Sequence, residues 1–262
     1  MKIIFLGATV FSCEILKSLL ADGFKPGMIF GIPELFSISY SKQPIRNYNY
    51  GNLGTLATEN DIPFRSIDGS HGRRLDDFAG EIASYRPDVI LVMGWYYKVA
   101  EGIRNSAKYG AWGIHASLLP DYAGGAPLVW AMINGEKETG VSLFRLDDGV
   151  DTGDIVAQAR LAIGPDDSIS TVYGHATELS TNLLRRTLRD IGSLSLVSQD
   201  LSKRRLFPQR TPDDGEMDLQ WPAEQIHNFV RAQSSPYPGA FVRTIDGKKL
   251  VIEKTRIADA ED

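Results

Sequence analysis

His115 and Asp151 are the residues of this chain best suited by type and position to acid–base chemistry. His115 opens a loop punctuated by glycine and proline, and Asp151 stands in a second loop with the sequence DGVDTGD. Catalytic groups are often carried on such loops, and enough chain separates the two for it to fold back and bring them together. A histidine with a carboxylate partner can act as general base toward an amine or, once protonated, stabilise an oxyanion, while the carboxylate orients the ring.

The sequence around this pair disfavours several other reaction types. It contains no GxSxG nucleophile elbow, and Ser117 is close to His115 in sequence without any sign that the two side chains meet. The pair lacks a third ligand at metal-binding spacing, so we predict no metal site. An acyl transfer without a covalent enzyme intermediate fits best. A purely structural histidine bonded to an aspartate remains the alternative.

The elements that position these residues alternate between strand and helix patterns. This order predicts an α/β fold: a Rossmann-like, mostly parallel sheet flanked by helices, with a small α+β C-terminal subdomain. We expect a catalytic domain over residues 1–204 and the subdomain over 205–262. Ser12 is the predicted N-cap of the first helix. The predicted strands are residues 2–8, 28–32, 63–67, 88–94, 110–115, 141–146, 155–163, 241–244 and 249–253, and the predicted helices are 12–22, 52–61, 73–85, 126–135, 168–191 and 223–233.

The strand at 88–94 is strongly apolar and should be central, and three aromatic residues follow it at 95–97. Ligands of open α/β sheets bind beyond the carboxyl ends of the strands. The aromatics could therefore wall a pocket for a flat ring system, or they could merely cover the end of the sheet.

Composition limits the classes of partner. The formal net charge is −5 and no run of Lys or Arg resembles a nucleic-acid footprint, which disfavours a nucleic-acid partner. The longest apolar run, 89–97, is too short to span a membrane. The single cysteine, Cys13, excludes a disulfide framework. The N-terminal run IIFLGATVF resembles a signal segment but lacks a convincing cleavage site, so we expect a cytoplasmic protein.

Two stretches resemble a known family. HASLLPDYAGGAP followed by NGEKETGVSLFRLDDGVDTGDIVAQ is similar to the N10-formyltetrahydrofolate-dependent formyltransferases. RTPDDGEMDLQWPAEQIHNFVRAQSSPYPGAF resembles the linker and C-terminal start of sugar-nucleotide N-formyltransferases and methionyl-tRNA formyltransferases. The resemblance runs from Ile3 to about Val251. It implies a formyl transfer from N10-formyltetrahydrofolate, the cosubstrate, to a primary amine through an Asn, His and Asp set.

The resemblance also assigns the site residues. The family's His falls on His115 and its Asp on Asp151, while its Asn position holds Gly113. The segments 93–99 and 145–151 would build the folate pocket, with contacts expected at Met93, Trp95, Tyr96, Tyr97, Val99, Arg145, Leu146 and Asp147. The loop after His115 would bind the amine substrate, with contacts expected at Ser117, Leu118, Leu119, Pro120, Tyr122 and Gly124.

Gly113 departs from the family pattern because glycine has no side chain to donate to an oxyanion. Losing one such donor typically lowers the rate by about 10²–10³-fold. A water could occupy the vacated space, another donor could substitute, or the protein could be a weak or non-catalytic folate or sugar-nucleotide binding relative. A hydrolase acting on formyl-folate is a further alternative.

A nucleotide-linked aminosugar, as used in glycan or lipopolysaccharide biosynthesis, is the expected amine. The segments INGE, ETGV and IVAQ resemble aminosugar enzymes, whereas methionyl-tRNA enzymes carry a larger C-terminal domain and a basic surface, and this chain ends in ADAED. Asp121 and Ala123 stand where many relatives are basic, so phosphate recognition must come from elsewhere. Tyr40, Arg46 and Tyr48 in the loop 35–51 are candidates, unless that loop is disordered. The C-terminal subdomain offers a surface for a homodimer.

Overall fold

A computed structural model describes residues 1–37, 43–47, 49–68 and 73–258. Strands, α-helices and short 3-10 turns make up its regular structure. The strands are β1 (Ile3–Gly7), β2 (Met28–Gly31), β3 (Leu35–Phe36), β4 (Ile45–Arg46), β5 (Phe64–Ser66), β6 (Val89–Met93), β7 (Ala111–His115), β8 (Ala123–Gly124), β9 (Glu138–Arg145), β10 (Ile155–Ala162), β11 (Leu206–Phe207), β12 (Ala240–Arg243) and β13 (Lys249–Ile252). The α-helices are α1 (Val10–Ala21), α2 (Leu53–Glu59), α3 (Ala79–Tyr85), α4 (Glu101–Arg104), α5 (Pro127–Ile133), α6 (Ile169–Arg189) and α7 (Ala223–Ala232). The 3-10 turns are Leu75–Phe78, Ile191–Ser193, Leu201–Lys203 and Pro212–Gly215.

The main sheet has seven strands in the order β10-β9-β7-β6-β1-β2-β5. Parallel pairing joins β1 to β2 and β6, β2 to β5, and β6 to β7. The central strands β1 and β6 are apolar on both faces and almost wholly buried, as strands covered by helices on both sides must be. Near the C-terminus, β12 and β13 form an antiparallel hairpin. The predicted α/β class, with its mostly parallel sheet and small C-terminal part, is confirmed.

The chain divides into two compact units. Unit 1 comprises Met1–Ile114, Leu143–Ala157 and Ser180–Ser198, and unit 2 comprises His115–Ser142, Gln158–Leu179 and Gln199–Asp262. Gly113 and Asp151 therefore belong to unit 1, and His115 is the first residue of unit 2. The predicted division at residue 204 stays a prediction. Among the described residues, no helix combines the length and apolar character that crossing a membrane requires.

The first helix begins earlier than the sequence predicted. Thr9, rather than Ser12, is the N-cap, and its hydroxyl accepts from the Ser12 amide while the Ser12 hydroxyl accepts from the Thr9 amide. This reciprocal capping box satisfies two amides that the helix leaves unpaired. Ser12 is wholly buried and its hydroxyl also bonds the carbonyl of Met93 at the end of β6. The prediction was wrong because Ser12 sits inside the first turn, where it serves the cap.

The segment predicted as an irregular loop at 35–51 contains a short antiparallel pair, β3 with β4. Arg46 lies on β4 and pairs with Glu34 at 2.8 Å. Tyr40 and Tyr48 lie outside the described residues. The helix predicted over 73–85 is a 3-10 turn followed by α3, whereas Ser168 caps α6 as predicted, its hydroxyl accepting from the Thr171 amide at 3.2 Å.

Asp22, the C-cap residue of α1, forms ion pairs within unit 1, and their contribution to stability depends on pH. Arg185 bonds it through two guanidinium nitrogens and Arg189 through a third at 3.0 Å. The Arg185 hydrogen bond holds the pKa of Asp22 below its usual value. A lowered folded pKa contributes its full stability above the unfolded value, about 3.9, and loses it as pH falls through the folded value.

We therefore expect Asp22→Asn to be less stable than the wild type at neutral pH, with the difference shrinking below about pH 3.9. Urea unfolding at a series of pH values measures this. Asp76→Asn, at an exposed aspartate, is the matched control. A stability difference for Asp22→Asn that stays constant down to low pH would rule out the ion pair as its source.

Candidate active site

His115 ends β7 and is only 9% exposed. Its Nε2 lies 2.7 Å from the backbone carbonyl oxygen of Tyr122, which can only accept a hydrogen bond. Nε2 must therefore carry the proton, and in the neutral ring the lone pair that can take up a proton is on Nδ1. The fold thus selects one tautomer of His115.

The loop after His115 is held by buried hydroxyls. Ser117 donates to the Asp121 carbonyl at 2.6 Å, and Ser142 donates to the Ser117 carbonyl at 2.7 Å. The Ser142 hydroxyl also accepts from the Leu119 amide at 3.0 Å, and Gln158 donates to the Leu119 carbonyl at 2.9 Å. Ser117 and Leu119, predicted to contact substrate, are buried. Leu118, Pro120 and Gly124 are half-buried, and substrate contact by any of these five residues stays a prediction.

Tyr122 is buried and has a φ of 51°, a left-handed conformation that costs a non-glycine residue free energy. Its ring stacks on Phe207 at 4.6 Å, nearly parallel. Its hydroxyl donates to Glu136 at 2.7 Å and accepts from Asn134 at 3.0 Å. Burial raises the pKa of Tyr122 to about 12, so the phenol stays protonated. These protein partners hold the ring, and its contact with substrate stays a prediction.

In unit 1, Asp151 lies in a tight loop and also has a left-handed φ, 55°. The Asp147 carboxylate organises this loop by accepting from the Thr152 hydroxyl at 2.8 Å and the Gly149 amide at 3.0 Å. A Cβ on Gly153 would lie 1.7 Å from the Arg145 carbonyl oxygen. Only glycine fits there, so Gly153 sets the approach of the loop to the end of β9.

Gly153→Ala should therefore disrupt the Asp151 loop. Because the clash is with backbone, we expect a loss of about 1–3 kcal/mol in the free energy of unfolding, typical of overpacking, together with loss of catalytic activity. Urea unfolding and steady-state kinetics measure the two effects. Gly80→Ala is the matched control, since a Cβ on Gly80 in α3 meets nothing within 4 Å. If Gly153→Ala proved as stable as Gly80→Ala, the close packing would be refuted.

Most of the residues predicted to bind folate lie together in unit 1. Trp95, Tyr97, Val99 and Leu146 pack into one hydrophobic cluster with residues of β1 and β6. Tyr96 instead turns to the β3 segment, where its ring lies 5.0 Å from that of Phe36. Trp95 and Tyr97 thus pack in the cluster and Tyr96 is exposed, and the prediction that the three aromatics wall a pocket stays a prediction.

A cleft of about 260 Å³ lies beside this cluster and is lined by Glu101, Arg104, Asn105, Arg145, Leu146, Asp147, Asp148, Thr152, Gly153 and Asp154. The side chain of Arg104 is 5% exposed and bonds Asp148 at 2.6 Å. Its Nε and Nη1 atoms, and Nε1 of Trp95, are buried without an acceptor in the described part of the chain. Buried donors of this kind are rare, and they favour a ligand that brings acceptor atoms. No pattern in the sequence pointed to Arg104.

Gly113 is buried in β7 beside Phe144 and Leu146. A Cβ at this position would lie 3.1 Å from Cδ2 of Leu146 and 3.2 Å from Cε1 of Phe144. These neighbours would have to give by a few tenths of an ångström, and the Leu146 methyl is the end of a flexible side chain. The position is tight without being closed to a larger residue.

Among the described residues, no group of three or more His, Cys, Asp or Glu side chains is arranged to hold a metal.

Comparison with known proteins places this site in a family. The formyl transferase profile matches residues 54–188, just over half of the chain, and the formyl transferase C-terminal domain matches residues 210–262. The first match contains Gly113, His115 and Asp151. The chain belongs to the formyl transferase family, which confirms the family resemblance of the sequence.

Solved structures with the same fold include several formyltransferases. A sugar N-formyltransferase from Shewanella sp. is 16% identical, with a TM-score of 0.72 and 99% of both chains covered. An N-formyltransferase from Helicobacter canadensis, solved with folinic acid and dTDP-3-aminofucose, is 20% identical, with a TM-score of 0.67 over 88% of this chain and 80% of that one. The methionyl-tRNA formyltransferase of Clostridium thermocellum is 18% identical, with a TM-score of 0.61 over 95% of this chain and 96% of that one.

Proposed function

We propose that this protein transfers the formyl group of N10-formyltetrahydrofolate to the primary amine of a nucleotide-linked aminosugar. The observation that carries this proposal is the Nε2 hydrogen bond of His115 to the Tyr122 carbonyl, because it leaves Nδ1 as the basic atom. A buried base of fixed tautomer at the end of a parallel strand suits proton transfer from an amine.

The choice of amine rests on the sequence and on the relatives. The Helicobacter enzyme was solved with a dTDP-linked aminosugar, and the Shewanella protein is a sugar N-formyltransferase. The net charge of −5 opposes a polyanionic RNA partner. Methionyl-tRNA is the alternative amine, since a methionyl-tRNA enzyme shares the fold.

The described residues of unit 1 fit the cosubstrate. A pterin ring carries both acceptor and donor nitrogens, which matches the unpartnered donors of Arg104 and Trp95 and the carboxylates at the cleft. Arg145, Leu146 and Asp147 line that cleft, and Val99 and Tyr97 pack in the adjoining cluster. We infer that these residues hold the pterin.

When bound, the folate would supply the formyl carbon, which would gain a bond to the amine nitrogen and then lose its bond to N10. Nδ1 of His115 takes the proton that the attacking amine loses, and can return it to the departing nitrogen, so protons balance. The family resemblance assigns to Asp151 the balancing of the positive charge of the protonated ring. Gly113 offers no side-chain donor to the formyl oxygen, so a water or another donor must supply that hydrogen bond.

Product analysis with and without amine tests the reaction type. We expect tetrahydrofolate to form in step with N-formylated amine, and no formate to be released when the amine is left out. Formate release without amine would instead identify a hydrolase. Folate binding in calorimetry with no product from any amine would identify a non-catalytic relative.

A further inference from the structure

We propose that Arg205 is a positioning residue that fixes the tautomer of His115 through the backbone of Tyr122. This inference rests on the proposed role of His115 as base. It concerns only residues of unit 2, and Arg205 lies outside both family matches, between residues 188 and 210.

Arg205 bonds the residues on both sides of Tyr122 in the chain, Asp121 and Ala123. On one side its guanidinium forms a two-bond ion pair with the Asp121 carboxylate, with Nη2 2.6 Å from Oδ2. On the other side its backbone carbonyl accepts from the amide of Ala123 at 2.9 Å, where β11 pairs with β8. Arg205 is thus bonded directly to the peptide group after Tyr122 and, on the other side, to the side chain of the residue before it.

The Tyr122 side chain is tied to the same arginine. The guanidinium carbon of Arg205 lies 4.6 Å from the centre of the Tyr122 ring, within cation–π distance. Nη2 of Arg205 also lies 3.4 Å from the Glu136 oxygen that accepts the Tyr122 hydroxyl. Phe207, two residues after Arg205, supplies the stacked ring.

These contacts explain how Tyr122 keeps a left-handed φ. Such a conformation persists only where the surroundings over-determine it, and here its direction aims the carbonyl at Nε2 of His115. Asp121 itself binds the Tyr122 amide at 2.9 Å. If these contacts are lost, the backbone of Tyr122 can relax and its carbonyl can move away from Nε2. The neutral ring can then carry its proton on Nδ1, and Nδ1 can no longer accept a proton from the amine.

Asp121 takes part in the same arrangement. Its carboxylate holds the Arg205 guanidinium in place, so that the positive charge of residue 205 lies at this loop. Because Arg205 is half-exposed, its ion pair adds little to stability. The test must therefore measure the histidine ring and the rate rather than unfolding alone.

The tautomer of His115 can be measured directly by NMR. The full chain is labelled with ¹⁵N-histidine, and long-range ¹H–¹⁵N correlation spectra are recorded at a pH where the histidine rings are neutral. His115→Gln assigns the signal. We expect the wild type to carry the proton on Nε2 and Arg205→Gln to show a mixture of tautomers. In kinetics, Arg205→Gln should lower kcat by about tenfold, a part of the 10²–10⁴-fold contribution of a general base, with KM changed less than twofold.

Two further variants keep the test decisive. Arg205→Lys keeps the charge but loses the two-bond fork, so an intermediate tautomer mixture and rate are expected. Arg160→Gln, which removes a different exposed ion pair of unit 2, should match the wild type. A wild-type signal in folded Arg205→Gln, or a proton on Nδ1 in the wild type, would overturn the inference. If the wild type formylated no amine, the proposed function would fail while the spectra still decided the role of Arg205.

Discussion

His115→Gln should lower kcat for formyl transfer by about 10²–10⁴-fold, the usual contribution of a general base. Glutamine can still donate an N–H to the Tyr122 carbonyl, which His115 bonds at 2.7 Å, but it has no basic nitrogen. The loop after His115 should therefore stay folded while the proton acceptor is lost. Steady-state rates of tetrahydrofolate formation measure the effect, and KM should change little.

His175→Gln is the matched control, because His175 is exposed on α6 and serves no candidate site. It should keep the wild-type rate. If folded His115→Gln retained more than about a tenth of wild-type kcat, the assignment of the base would be contradicted.

Gly113→Asn should raise kcat, by as much as about 10²–10³-fold, the usual worth of one oxyanion donor. The added amide restores the donor that the family pattern places two residues before the histidine. The gain will be reduced by crowding, since the new Cβ lies 3.1 Å from a Leu146 methyl and 3.2 Å from the Phe144 ring. Single-turnover rates at saturating folate measure the chemical step.

Gly113→Ala separates the two effects because it adds the same Cβ without the amide. We expect alanine to match or fall below the wild type while asparagine exceeds it. Unchanged or lower activity for Gly113→Asn, with folate still bound, would show that this chain meets the oxyanion by other means.

The fold was predictable because its strands are long apolar runs and its helices are periodic. β1 and β6 are buried on both faces, so their composition alone marks them as central. The start of α1 could not be predicted, because Thr9 and Ser12 are both good N-cap residues and only the contact of Ser12 with Met93 decides between them. Short pairs such as β3 with β4 leave no periodic trace.

The candidate site was predictable only in part. Local loop chemistry and the family resemblance pointed to His115 and Asp151, and the structure shows how Tyr122 holds one of them. Arg205 could not be found this way, because its contacts with Asp121 bridge a distance of 84 residues along the chain. Arg104 was missed because a lone arginine on a short helix is ordinarily a surface residue.

The most direct test of the central claim is a mass-spectrometric screen of amine acceptors. The chain would be incubated with N10-formyltetrahydrofolate and TDP-, UDP- or GDP-linked aminosugars, with methionyl-tRNA as the competing acceptor and His115→Gln as the blank. We predict that at least one aminosugar nucleotide gains the mass of a formyl group in place of an amine hydrogen, and that methionyl-tRNA gains none. Formylation of methionyl-tRNA with no aminosugar modified would contradict the account.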